Sequence, residues 1–121
     1  MKNFKVLIVD DQEGIRRVLV ETCLMLGYEV HSVASGEEAL ELVKQGDFNV
    51  VMVDMKMPGM NGANTIKNLL MKEKNLKIVL MTGYGESELV EEVRRLKIDA
   101  IIKKPFGIED VKELLEKVIN N

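Results

Sequence analysis

Acidic residues close two apolar segments of this 121-residue chain. Asp10 and Asp11 follow the apolar run at residues 5–9, and Asp54 follows a second run at residues 50–53. A carboxylate at the end of a buried strand is costly to desolvate unless a cation or hydrogen bonds compensate for the lost water. Two strands that both end in this way indicate that their acids share one site.

Two more polar groups follow later apolar runs. Thr82 comes after residues 78–81, and Lys104 comes shortly after residues 100–102. Carboxylates that lie close together raise one another's pKa, so these acids are best explained as a binding site for a hard cation such as Mg²⁺. Mg²⁺ usually takes one or two carboxylates together with a phosphate oxygen. With the hydroxyl and the ammonium as fixed donors, these residues supply what phosphoryl transfer requires.

Among the three acids, Asp54 is the best candidate for the nucleophile. Asp10 and Asp11 are neighbours that can share a cation, whereas Asp54 stands alone before the turn-rich segment 55–62. Such a segment would leave the carboxylate accessible. Carboxylates form acyl phosphates in phosphotransfer proteins, so the role needs no unusual activation.

Short β-branched runs alternate with amphipathic stretches along the whole chain, which predicts five strands and five helices. Ser35 and Glu38 form a capping box that opens the second helix, which ends at Gly46. The other helices carry apolar residues at helical spacing: Ile15, Val18, Leu19 and Thr22 in the first; Ile66, Leu69 and Leu70 in the third; Leu89, Val93 and Leu96 in the fourth; Val111, Leu114, Leu115 and Val118 in the fifth.

The strands are nearly continuous apolar runs, which is typical of a parallel sheet covered by helices on both faces. Right-handed crossovers then bring the carboxyl ends of all strands to one edge, where ligands of open α/β sheets bind. We therefore expect a single α/β domain over residues 1–121, with the three aspartates, Thr82 and Lys104 together at that edge.

Composition argues against several classes of protein. A net charge of −3 and a pI of about 5.3 argue against a nucleic-acid binder. No apolar run approaches the roughly 18 residues that span a bilayer, and the first residues do not resemble a targeting segment, so we expect a cytoplasmic protein. A single Cys23 and a single His31 argue against a zinc site, and Cys23 is expected in the core.

Taken together, these motifs resemble the receiver domain of two-component response regulators over essentially the whole chain. The residues that carry the resemblance are Asp10-Asp11, the segment 53–62 around Asp54, Thr82, and Lys104-Pro105-Phe106. Within the family the chain most resembles the stand-alone receiver type of the sporulation phosphorelay, through Asp10-Asp11-Gln12, Gly14-Ile15-Arg16, Asp54-Met55-Lys56 and the segment 81–86. The resemblance implies a flavodoxin-like (βα)5 fold, doubly wound, with strand order 2-1-3-4-5.

The resemblance also implies a role for each motif residue. Asp54 would accept a phosphoryl group from a histidine of a sensor kinase, and Lys104 and Thr82 would bind the phosphoryl oxygens. Mg²⁺, or Mn²⁺ in its place, would be held by Asp11, Asp54 and the backbone carbonyl of Lys56, with Asp10 acting directly or through a metal-bound water. Pro105 would follow a cis peptide bond. Such a domain catalyses its own phosphorylation and dephosphorylation but is not a turnover enzyme.

Receivers often carry a switch aromatic three positions before the lysine, and here that position is Ile101. This departure, and a chain that ends after the last predicted helix, favour a phosphorelay intermediate, and we expect it to be a monomer. It would pass the group to a histidine phosphotransferase or another downstream acceptor. We expect Lys56 and Tyr84 to shield the phosphoryl group from water. The residues expected to dock a partner are Ile15, Val18, Tyr84, Pro105 and Phe106.

Alternatives remain open from the sequence alone. A receiver could act as a stand-alone protein-binding switch of the chemotaxis type. An aspartyl-nucleophile phosphohydrolase would need a second acid where Gln12 stands. A flavin or nucleotide binder would need a glycine- or hydroxyl-rich loop after the first strand, where this chain is strongly anionic. Finally, strand-end acids could merely accompany a flavodoxin-like fold.

Overall fold

A computed structural model describes residues 4–83, 91 and 93–120. The strands are β1 (Lys5–Val9), β2 (Glu29–Val33), β3 (Val50–Asp54), β4 (Lys77–Thr82) and β5 (Ala100–Lys103). The helices described are α1 (Glu13–Met25), α2 (Gly36–Gln45), α3 (Gly62–Lys72) and α4 (Ile108–Ile119). The fourth predicted helix, between β4 and β5, falls largely on residues that the structure does not describe. The helix labelled α4 here therefore corresponds to the fifth predicted helix.

The five strands form one parallel sheet in the order β2-β1-β3-β4-β5. This confirms the predicted flavodoxin-like, doubly wound topology. The order reverses between β1 and β3, which lie side by side at the centre of the sheet. Open α/β sheets bind their ligands beyond the carboxyl ends of strands at such a switch point.

Alternate residues of each central strand enter two separate hydrophobic clusters, one on each face of the sheet. In β1, for example, Val6 and Ile8 face one cluster while Leu7 and Val9 face the other. Burial on both sides explains why the strands read as continuous apolar runs. One cluster includes residues of α1 and α4, namely Leu19, Cys23, Val111, Leu115 and Val118; the other includes Ala39, Val43, Ile66 and Leu69 of α2 and α3.

Local sequence signals mark the end of α1 and the start of α2. Gly27, just after α1, has a φ of 87°, a left-handed conformation that glycine adopts without steric cost. At the start of α2, the Ser35 hydroxyl accepts a hydrogen bond from the backbone N–H of Glu38 at 3.2 Å. Within the described part of the chain, no helix is long and apolar enough to cross a membrane.

The apolar face of α1 differs from the prediction at Val18. Leu19, Thr22 and Cys23 are buried, but Val18 is 47% exposed. The stripe that packs against the sheet is therefore narrower than the helical periodicity indicated, because Val18 lies at its solvent side. Cys23 lies in the core as expected, and burial raises the pKa of its thiol to about 12.

Candidate functional site

The strand register brings the predicted acids together. Val9 pairs with Val53, so Asp10 and Asp54 leave neighbouring strands at the same level of the carboxyl edge. Asp54 itself pairs with Met81, which places Thr82 one residue further along the adjacent strand. Thr82 is buried at this edge. Asp10 and Asp54 thus leave the two strands between which the order reverses, and Thr82 ends the next strand at the same edge.

Lys104 reaches this cluster from the end of β5, at the far edge of the sheet. Its Nζ donates hydrogen bonds to Asp10 Oδ2 at 2.8 Å, to Asp54 Oδ1 at 3.2 Å and to Gln12 Oε1 at 3.4 Å. The backbone N–H of Lys104 donates to the Thr82 carbonyl at 2.7 Å, which continues the pairing of the two strands. The Lys104–Pro105 peptide is cis, as the resemblance implied.

Asp10 is completely buried and both of its carboxylate oxygens accept hydrogen bonds. The backbone N–H of Gln12 donates to Oδ1 at 2.9 Å, and Lys104 donates to Oδ2. The Arg16 guanidinium also donates to the Asp10 backbone carbonyl at 2.8 Å. These partners offset the cost of burying the Asp10 charge.

Oxygen atoms of Asp10, Asp11 and Asp54 lie within 4.8 Å of one another, close enough to share one cation. An all-oxygen set of this kind fits a hard cation such as Mg²⁺. Asp11 is exposed, whereas the oxygens of Asp10 already have protein donors. Asp11 and Asp54 could therefore hold a cation directly, and Asp10 could support it.

The electrostatics of the site favour a proton or a cation on Asp54. Burial, reinforced by the charge of Asp10, raises the pKa of Asp54 to about 6, and Lys104 opposes both effects. Burial alone would lower the pKa of Lys104, but its hydrogen bond to Asp10 and the charge of Asp54 outweigh this and the pKa is raised. Lys104 therefore remains an ammonium, yet its positive charge does not fully offset the effects that disfavour the ionised Asp54 carboxylate.

A cavity of about 560 Å³ opens beside Asp54. Its lining consists of Asp11, Gln12, Asp54, Lys56, Met57, Pro58 and Lys104. The loop that bears Lys56 is anchored at both ends: Met55 N–H donates to the Met81 carbonyl at 2.8 Å, and Gly62 N–H donates to the Met55 carbonyl at 3.0 Å. A Cβ at Gly62 would lie 2.5 Å from the Asp54 carbonyl oxygen, so only glycine permits this close approach.

The residues predicted to dock a partner differ in exposure. Val18 and Pro105 are exposed, whereas Ile15 and Phe106 are half-buried against the cluster between the sheet, α1 and α4. Tyr84 lies outside the described residues. Ile101, at the usual position of the switch aromatic, is 39% exposed.

Sequence reasoning assigned no part in the site to the side chains of Gln12 and Arg16. Both contact the cluster, Gln12 through Lys104 and Arg16 through Asp10. One signal was present in the sequence: Gln12 occupies the N-cap of α1, where serine, threonine, aspartate and asparagine are preferred. A residue that is poorly suited to capping, at the edge of a site, indicates a second role.

The fold and the cluster of acids with one lysine define the class of this protein. The chain belongs to the response regulator receiver domain family, whose model matches residues 6–116.

Three relatives illustrate the relationship. The chain is 36% identical over 119 residues to sporulation initiation phosphotransferase F of Bacillus subtilis, covering 98% of this chain and 96% of the relative. It is 36% identical over 115 residues to the chemotaxis protein CheY of Thermotoga maritima, covering 94% and 96% of the two chains. The solved structure of Vibrio cholerae CheY4 superposes with a TM-score of 0.91 at 32% identity, covering 97% of this chain and 99% of that one.

Proposed function

We propose that residues 1–121 act as a phosphorelay intermediate in which Asp54 accepts a phosphoryl group from a histidine of a sensor kinase and passes it to a second histidine protein. The observation that carries this proposal is that Asp54 lines a cavity of about 560 Å³, with Lys104 Nζ 3.2 Å from its Oδ1. Membership of the receiver family supports a phosphoacceptor role.

Asp54 is better placed than the other two acids to react. Asp10 is fully buried and both its oxygens accept hydrogen bonds, so it does not reach the cavity. Asp11 lines the cavity but is exposed, and no hydrogen bond joins it to Lys104 among the described residues. Asp54 alone of the three combines access to the cavity with a lysine contact.

In the proposed reaction an Asp54 carboxylate oxygen attacks phosphorus on the phosphohistidine. The O–P bond forms as the N–P bond breaks, and the imidazole nitrogen leaves with the electron pair and takes up a proton. Onward transfer is the reverse of this step on another histidine. Lys104 exchanges its contact with Asp54 for a phosphoryl oxygen, and Thr82, at the same sheet edge, supplies a hydroxyl donor.

Mg²⁺, or Mn²⁺ in its place, would be held by Asp11 and Asp54, with Asp10 and the Lys56 carbonyl completing the protein's contribution. When bound, the ion neutralises the negative charge that builds up between the carboxylates and the phosphoryl group. The three carboxylates of the cluster supply the oxygen ligands that such an ion prefers.

The relay role is supported by a relative and by one residue. The 36% identical Bacillus subtilis protein is named as a phosphotransferase of sporulation initiation, and the match extends over nearly the full length of both chains. Ile101 replaces the aromatic side chain that the family resemblance associates with an output switch. Both favour transfer of the phosphoryl group over a strong conformational output, and the proposal places the chain in the cytoplasm as a monomer.

A second candidate is a protein-binding switch of the chemotaxis type, because relatives named as chemotaxis proteins match at 35–36% identity over comparable lengths. The two candidates differ in the fate of the phosphoryl group. A relay intermediate loses its phosphoryl group to a histidine protein, whereas a switch retains it and binds a target.

The experiment uses radiolabelled phosphoryl groups and a panel of purified, autophosphorylated histidine kinases and histidine phosphotransferases. The proposal predicts that label moves from a kinase to this chain and then to a phosphotransferase, and that the phosphotransferase returns it. Label that enters the chain but reaches no histidine protein would favour the switch. Label that never enters from any kinase, while acetyl phosphate and Mg²⁺ also fail to load the chain, would contradict both.

A further inference from the structure

We propose that Gln12 is a positioning residue for Lys104. The side-chain carbonyl of Gln12 holds the lysine ammonium in the position from which the ammonium binds the phosphoryl group on Asp54. The Gln12 side chain is neutral, so it adds no negative charge to the site. The inference rests on the proposed function, since it assigns a part in phosphorylation to a residue beside the acceptor.

The first observation is the full set of acceptors around Lys104. A lysine ammonium has three N–H donors, and Nζ has three acceptors here: Asp10 at 2.8 Å, Asp54 at 3.2 Å and Gln12 at 3.4 Å. They come from β3 and from the segment after β1, so they approach the ammonium from different elements. Together they restrict a flexible side chain to one position.

The second observation is that the Gln12 side chain does not cap the helix that it precedes. Gln12 is the N-cap residue of α1, yet its side chain makes no capping hydrogen bond. It instead accepts a bond from Lys104, 92 positions away in the sequence. Its backbone N–H meanwhile donates to Asp10 Oδ1. One residue therefore orients both Asp10 and Lys104.

Phosphorylation changes the partners of Lys104, and the contact with Gln12 matters during that change. When the Asp54 oxygen bonds to phosphorus, Lys104 must turn one donor from Asp54 to a phosphoryl oxygen. Asp10 and Gln12 take no part in the bond changes, so they retain the ammonium during that exchange. Donors held in place in this way lower the barrier because less reorganisation is needed as charge moves.

The neutral charge of Gln12 matters as much as its reach. Three carboxylates already surround the site, and a fourth beside Lys104 would repel an incoming phosphoryl donor. An asparagine would be one methylene shorter. A glutamine supplies an acceptor at the required distance and leaves the net charge of the site unchanged.

The test measures phosphorylation of Asp54 by acetyl phosphate in Mg²⁺, a reaction in which acetate leaves with the electron pair of the broken P–O bond. Gln12→Leu removes the acceptor at similar size and should slow phosphorylation about threefold to tenfold, the effect of one hydrogen bond. Gln12→Glu should also be slower, and its deficit should shrink at high salt because added charge is screened. Gln45→Leu makes the same change at an exposed position on α2 and should leave the rate unchanged.

A second readout reports on Lys104 directly. In metal-free protein, hydrogen exchange of the ¹⁵N-labelled Lys104 ammonium should be slow in the parent and in Gln45→Leu, and faster in Gln12→Leu. Unchanged exchange together with an unchanged phosphorylation rate would overturn the role of Gln12 while leaving the proposed function intact. A parent chain that acetyl phosphate does not phosphorylate at all would overturn both.

Discussion

Asp54→Asn should stabilise the metal-free protein, because the Asp54 carboxylate is held in a place that disfavours its charge. Its pKa in the folded state is about 6, against a usual value of 3.8. Each pH unit of difference corresponds to about 1.4 kcal/mol. The ionised carboxylate therefore costs about 3 kcal/mol of folding free energy at neutral pH, and an asparagine amide resembles the protonated group that avoids this cost.

The pH dependence gives the sign of the effect. Since folding raises the pKa of Asp54, the folded state retains its proton while the unfolded state loses it between about pH 4 and pH 6. The parent therefore loses stability as pH rises through that window. Asp54→Asn should exceed the parent by about 2 to 3 kcal/mol at pH 7.5 and by less than about 1 kcal/mol at pH 4.

The assay is urea unfolding followed by circular dichroism, in chelator and at both pH values. Asp47→Asn removes the same formal charge from an exposed position and is the matched control, expected to differ little from the parent. Mg²⁺ should stabilise the parent but not Asp54→Asn, because ligand binding stabilises only the form that binds it. The electrostatic account would be refuted if Asp54→Asn were no more stable than the parent at pH 7.5. It would also be refuted if the difference in unfolding free energy between the variant and the parent were the same at both pH values.

Three further predictions concern individual side chains. Asp11→Asn should abolish the Mg²⁺-induced rise in melting temperature, because it removes an exposed carboxylate proposed to bind the ion; a rise as large as the parent's would exclude Asp11 from the metal site. Lys56→Asn should shorten the lifetime of phosphorylated Asp54 several-fold, since Lys56 lines the cavity beside Asp54 and a shorter side chain would give water more access. The exposed Lys67→Asn serves as control, and an unchanged or longer lifetime of Lys56→Asn would reject shielding. Ile15→Ala should slow transfer from kinases while leaving phosphorylation by acetyl phosphate nearly intact. The half-buried Val20→Ala, in the same helix and cluster, should slow neither, and equal losses with both donors would show that Ile15 only supports the fold.

Much of the fold can be predicted from the sequence because its signals are local. Continuous apolar runs such as residues 50–53 are typical of strands in a parallel sheet covered on both faces, and that topology brings Asp10, Asp54 and Lys104 to one edge. The position of each acid in its strand was enough to predict their proximity. Gly27 likewise marks the end of α1 through its own backbone preference.

Other features depend on side-chain placement that periodicity does not contain. Val18 has the spacing of a core residue but is 47% exposed, because the packed stripe of α1 is narrow. The contact between Gln12 and Lys104 joins residues 92 positions apart and depends on one rotamer of each. Arg16 could not be assigned to the Asp10 carbonyl for the same reason, since its long side chain has many alternatives near the start of a helix.

The central claim is that Asp54 is the phosphoacceptor, and intact-protein mass spectrometry after incubation with acetyl phosphate and Mg²⁺ tests it most directly. The parent should gain the mass of one phosphoryl group that is lost at alkaline pH, as an acyl phosphate is. Asp54→Asn should gain none, while Asp47→Asn, with the same charge change outside the site, should behave as the parent does. A Mg²⁺-dependent gain of one phosphoryl group by Asp54→Asn at the parent's rate would contradict the claim.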